Sequence, residues 1–185
     1  MLFSRRVLPA LILSCVAPAT GFAAELQLAP DWTLSTPDGQ AINLAEEAEK
    51  QTVVLLFWAT WCPYCKALMP HLQSIRLEHG DNVRILAVNI SEDADPVAFI
   101  TNAGYDFVLL PEGDAVAEQY GVKGTPGVFV IDANRAIRFD LSKLPKIDPP
   151  DNGEKAGHSR KAAFRAPYWA AEIRKSIDKI EGATH

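Results

Sequence analysis

Val53-Val54-Leu55-Leu56-Phe57-Trp58-Ala59-Thr60-Trp61-Cys62-Pro63-Tyr64-Cys65-Lys66 joins seven apolar residues to a pair of cysteines. An unbroken apolar run from Val53 to Ala59 predicts a strand buried on both faces. Pro63 is tolerated in the first turn of a helix, and the pattern that follows predicts a helix over 63–79. Pro70 lies inside that helix, where it costs one backbone hydrogen bond and kinks the axis. Cys62 thus precedes a helix, where unpaired backbone N–H groups and the positive end of the dipole favour an anion. That matters because the thiolate attacks disulfides, and a free cysteine with a pKa of about 8.5 is mostly protonated at neutral pH. Cys65 is one turn on, within disulfide reach and expected to be more buried. Cys62 is the expected attacking sulfur and Cys65 the one that resolves the mixed disulfide.

Working outward, Trp32 to Leu44 reads as a hairpin turning at Pro37-Asp38-Gly39. Val83–Ile90 is a second buried strand. Pro96–Ala103 is a short helix closed by Gly104. Phe107–Leu110 is a third strand, and Asp114–Tyr120 a helix ended by Gly121. Gly127–Ile131 and Ala136–Phe139 are strands joined around Asp132-Ala133-Asn134-Arg135. Residues 168–180 form an amphipathic helix with Trp169, Ile173, Ile177 and Ile180 on one side. Strand–helix alternation followed by a hairpin and a helix predicts an α/β fold around one mixed sheet. The stretch 141–166 breaks the pattern, with Pro145, Pro149, Pro150, Gly153 and Gly157 and more cations than acids. It reads as a solvated loop insertion, or as a basic docking loop for an acidic partner.

The chain has 185 residues, 18 basic and 23 acidic, for a net charge of −5. Residues 1–23 read as a signal peptide: Arg5 and Arg6, an apolar stretch from Val7 to Val16, then Gly21-Phe22-Ala23 ahead of a cut before Ala24. The stretch is short for a membrane span. Ile12-Leu13-Ser14-Cys15 loosely resembles a lipoprotein box, in which Cys15 is lipidated, although Leu13 fits that pattern poorly. Losing both arginines with the leader leaves 16 basic against 23 acidic residues, a net of −7, in the domain 24–185. An acidic protein argues against nucleic acid or anionic lipid as a partner. The expected location is the periplasm.

Without Cys15, only Cys62 and Cys65 remain, so no structural disulfide framework exists. Structural zinc needs about four ligands, and there is no second pair. Haem attachment wants a histidine after the second cysteine, where Lys66 stands. No metal and no cofactor are expected.

The block Phe57 to Lys66 resembles the thioredoxin superfamily, and most of all its extracytoplasmic TlpA/ResA-like branch. A second block, Gly121-Val122-Lys123-Gly124-Thr125-Pro126-Gly127-Val128-Phe129-Val130-Ile131-Asp132, is similar to that family's second active-site loop. Ala29-Pro30-Asp31-Trp32 with Asp38-Gly39 resembles the branch's opening hairpin, and 96–110 its central helix–strand insertion. The resemblance implies a thioredoxin fold, a cis bond before Pro126, and a client segment pairing with the Thr125 backbone beside Cys62. Trp61 and Pro126 would form an apolar platform around the sulfurs. Trp58 reads as core.

Two departures stand out. Leu56 occupies the position of the buried aspartate of many thioredoxins, and Leu68 that of a glutamate common in the TlpA/ResA branch. Glu92 and Asp93 are the candidate replacements as base for Cys65; a solvated strand end is the plainer reading. Together the residues predict a periplasmic thiol–disulfide oxidoreductase, reducing client protein disulfides and recharged by a membrane thiol–disulfide electron donor. A disulfide oxidase or isomerase is the enzymatic alternative; a chaperone or metallochaperone is the non-enzymatic one.

Overall fold

A computed structural model describes residues 26–151, 153 and 156–183; the leader 1–23, its cut site and Cys15 lie outside the described residues. A two-stranded hairpin opens the fold, β1 (Thr33–Ser35) and β2 (Ala41–Asn43). Helix α1 (Leu44–Lys50), absent from the sequence reading, follows at once. Then come β3 (Thr52–Trp58), α2 (Pro63–His79), β4 (Val83–Asn89), α3 (Pro96–Ala103) and β5 (Val108–Leu110). The chain ends with α4 (Asp114–Gln119), β6 (Gly127–Ile131), β7 (Ile137–Asp140) and α5 (His158–Gly182).

The five strands β3 to β7 form one mixed sheet in the order β5-β4-β3-β6-β7. β3 runs parallel to β4 and antiparallel to β6. Every residue of β3 is buried, as an apolar strand at the centre of a sheet must be. Its side chains alternate between two cores. Val54, Leu56 and Trp58 pack with α2, α3 and α5 on one face. Val53, Leu55 and Phe57 pack with α1, α4 and the segment around Trp32 on the other. The mixed α/β architecture expected from the sequence is thus present. At the sheet's edge, Leu28 bridges Ala136, with the Ile137 N–H donating to Gln27 and the Ala29 N–H to Arg135.

The helix at the C-terminus begins ten residues earlier than the sequence suggested. Residues 158–166 belong to α5 and not to the loop 141–166. Pro167 lies on the exposed side, and the helix runs through it. Ala162, Ala166, Ala170, Ile173 and Ile177 form one buried stripe, and the small residues let α5 lie close to α2. Arg174 of α5 grips Glu78 of α2 through two bonds of 2.7 and 3.0 Å. Two cations of this segment are spent internally as well. Arg165 donates to Asp148 at 2.6 Å and to the Ile147 carbonyl at 2.7 Å, and Lys161 lies 3.5 Å from Asp148. Pro70 does not interrupt α2, which continues to His79.

Gly113, ahead of α4, marks a close approach between layers. Its N–H donates to Asn89 at 2.9 Å, and a Cβ there would overlap Cγ1 of Val88. Gly113→Ala is expected to destabilise the protein by about 1–3 kcal/mol, the usual cost of overpacking. A urea midpoint equal to that of the unmodified protein would show that β4 and α4 can part at no cost.

Candidate functional site

Strand directions gather the site. The C-terminal end of β3 lies beside the C-terminal end of β4 and the N-terminal end of β6, with Trp58 facing Asn89 and Phe57 facing Gly127. Three loops therefore meet at one end of the sheet: 59–62, 90–95 and 120–126. Functional groups concentrate at such strand ends in α/β proteins.

Cys62 is the N-cap of α2, with extended backbone (φ −78°, ψ 110°). Its Sγ accepts the Cys65 backbone N–H at 3.1 Å. The two cysteines are joined as a disulfide, Cα to Cα 5.3 Å. Exposure does not separate them as expected: Cys62 is 1% exposed and Cys65 0%. The distinction lies in the hydrogen bond and in the helix terminus, which a thiolate at Cys62 would face.

Trp61 is half exposed, and its indole N–H donates to the Ser91 carbonyl at 2.8 Å. Ser91 holds a positive φ of 49°, rare for a residue with a side chain, and its N–H is tied to Asp114 at 3.0 Å. The indole is thereby held as a fixed plate next to Cys62. Thr125-Pro126 forms a cis peptide at the entry to β6, and the Thr125 hydroxyl is covered without a hydrogen-bond partner among the described residues. Trp58 is wholly buried against Phe99, rings 5.3 Å apart, as a core residue should be.

Leu56 and Leu68 are fully buried in the same core as both cysteines, so the acids they stand in for are replaced by hydrocarbon. Glu92 does not fill that gap. Its carboxylate accepts from the Thr60 N–H (2.8 Å), the Thr60 hydroxyl (2.5 Å), Asn89 (2.7 Å), the Asp93 N–H (3.0 Å) and the Ala94 N–H (3.1 Å). Burial works against its ionisation. The bonds from Thr60, Asn89 and Asp93 outweigh that and lower it from 4.5 to about 2. A carboxylate so strongly held as an anion is a poor proton acceptor at neutral pH. Nor is it a solvated strand end: Glu92 is a clamp that fixes the loop leading to Cys62. A Glu four residues ahead of the Pro-initiated helix gave little sequence signal for this, because Thr60, which supplies two of its bonds, lies 32 residues away beyond the neighbouring strand β3.

Tyr64, between the cysteines, contacts α5 from three directions. Its hydroxyl is 3.3 Å from His158 Nδ1, Arg165 lies 5.6 Å over its ring, and the Trp169 ring is 6.0 Å away. A cleft of about 670 Å³ opens beside this cluster, walled by Tyr64, Thr125, Pro126, Leu144, Pro145 and Trp169. The segment after 140, expected from sequence to be a loop insertion followed by a helix, thus forms one wall of the site.

Residues 26–140 match the AhpC/TSA family. The chain belongs to that thioredoxin-like family. The thioredoxin-like protein YneN of Bacillus subtilis is 30% identical over 62% of this chain and 69% of its own length. The thiol-disulfide oxidoreductase ResA of Geobacillus thermodenitrificans is 34% identical over 60% of this chain and 64% of its own, so the chain spans a little under two thirds of that relative. Among solved structures, a candidate thiol:disulfide interchange protein DsbE from Chlorobium tepidum superposes with a TM-score of 0.56 at 27% identity, over 62% of this chain and 82% of that one. The fold is therefore that of thioredoxin, and relatives are thiol–disulfide oxidoreductases. The Cys62–Cys65 pair is in place for dithiol exchange.

His79, Asp178 and Glu181 are one other gathering of potential ligands among the described residues. Glu181 faces Nδ1 at 3.1 Å, whereas Asp178 faces Nε2 at 3.8 Å. The carboxylates bracket opposite sides of the imidazole and do not share one ring nitrogen with a common ion. The cluster joins the ends of α2 and α5.

Proposed function

We propose that this protein is an exported reductase of client protein disulfides, working in the periplasm. The observation that carries the reading is the Cys62 sulfur at the N-cap of α2, bonded to Cys65, with the Thr125-Pro126 loop at the same end of the sheet. The leader at 1–23, with its arginines and short apolar stretch, supports export.

In the reduced protein the Cys62 thiolate attacks one sulfur of a client disulfide, and the other client sulfur leaves as a thiolate. Cys65, deprotonated, then attacks Cys62 of the mixed disulfide and releases the second client thiolate. Two electrons pass to the client, and Cys62–Cys65 becomes a disulfide. A membrane thiol–disulfide donor restores the dithiol by the same exchange in reverse. Trp61 and Pro126 form the apolar platform, and the client backbone pairs at Thr125. With Leu56 and Leu68 in the core, the Cys65 proton leaves to solvent or to the departing client thiolate.

Equilibration with glutathione tests the direction. A reductase should show a potential more negative than about −150 mV and catalyse insulin reduction by dithiothreitol. A potential well above that, with rapid oxidation of reduced client, would make the protein a disulfide oxidase.

A further inference from the structure

The cleft beside Thr125-Pro126 joins residues of the family match, which ends at 140, to a wall contributed by the segment beyond it. Its floor and walls are apolar and aromatic, from Tyr64 and Pro126 across to Leu144, Pro145 and Trp169. Four charged side chains also line it: Lys123, Asp140, Lys146 and Arg165. Two of them are spent. Arg165 is held by Asp148 and the Ile147 carbonyl. Asp140 accepts from the Ser142 N–H at 2.9 Å and hydroxyl at 2.7 Å, with Lys143 at 3.7 Å. Lys123 and Lys146 are exposed and have no ion-pair partner among the described residues. An acidic protein thus presents two unneutralised cations at an apolar cleft next to its disulfide.

We infer that this cleft seats an extended client segment bearing an apolar side chain and a carboxylate beside its reactive cysteine. The inference rests on the reductase reading above and names the class of client. The apolar side chain would lie against Trp169 and Pro145, removing their surface from water. The carboxylate would meet Lys123 and Lys146, which attract it during approach and fix the direction in which the chain lies. A basic client segment would leave both cations opposed by like charge.

The test uses the reduced full-length mature protein and two disulfide-linked peptides that differ only at one position flanking the cysteine, Glu in one and Lys in the other. The ratio of their reduction rates is read within each protein, so a general loss of activity cancels. For the unmodified protein the Glu peptide should react faster by about three- to tenfold, the range two exposed charge pairs supply. That preference should shrink with added salt. In Lys123→Glu/Lys146→Glu the ratio should fall to one or invert. Equal rates in the unmodified protein, or a preference untouched by the double substitution, would overturn the assignment. Failure to reduce either peptide would instead count against the reductase reading. Self-association abolished by Lys146→Glu would seat a second copy in the cleft and likewise overturn the assignment.

Discussion

Cys62→Ser is expected to bring insulin reduction down to the uncatalysed rate, a loss on the order of a thousandfold or more. Serine at that position keeps the N-cap hydrogen bond, because its oxygen can also accept the Cys65 N–H. What it lacks is a sulfur that forms a disulfide with a client. Cys65→Ser should behave differently. The first exchange proceeds, the second cannot, and the client remains attached to Cys62 as a mixed disulfide. Non-reducing gels of the two variants, after exposure to oxidised client, report the difference directly. Neither variant should lose much stability, because the disulfide closes a loop of only three residues' separation. Adducts accumulating on Cys62→Ser and not on Cys65→Ser would reverse the two roles.

The second large effect concerns Glu92. Against the cost of burial, the bonds from Thr60, Asn89 and Asp93 hold the carboxylate down at about 2 against an ordinary 4.5. A carboxylate with a lowered native pKa contributes stability that is present above the unfolded value and lost as pH falls through the folded one. The protein should therefore lose stability between about pH 5 and pH 2, by about 2 kcal/mol once partial solvent screening is allowed for. Glu92→Gln should weaken the protein at pH 7 by a similar amount and flatten that acid limb. It cannot accept all five bonds, and its amide group brings donors to a site already full of them. Urea midpoints at pH 7 and pH 3 for both proteins decide the matter. An unchanged acid limb in Glu92→Gln would mean that other carboxylates account for it. Because Thr60 and Asn89 are both held by Glu92, the variant should also react more slowly with client, by loosening the approach to Cys62.

Much of this was readable before any coordinates. The limits of α2, α3 and β6 follow from Pro63, from Pro96 with Gly104, and from the apolar run after Pro126, each a local signal. Helix α1 was hidden because Asn43 reads as the end of a hairpin. It is also the N-cap, accepting the Glu46 N–H at 3.1 Å. The start of α5 was hidden among the prolines and glycines of 141–166, because the alanine stripe that holds it, and offsets the cost of Pro167, only matters once α2 lies against it. Cys62, Cys65, Trp61, Thr125 and Pro126 could be picked out by motif, and the fold brings their loops to one end of the sheet. The Glu92 clamp and the cleft could not. Each depends on segments distant in sequence, and neither has a residue spacing of its own.

A protein that meets partly unfolded chains risks being paired along the margins of its own sheet. Here β5 is three residues long, too short to template a partner, and β7 is bridged at one end by the segment around Leu28. Short and covered margins are how sheets avoid recruiting stray strands. On the reductase reading, an incoming client would find backbone to pair with at the Thr125-Pro126 loop, and these two margins of the five-stranded sheet would not compete for it. On that reading the N-terminal segment, by covering this margin, would help steer where encounters with clients end.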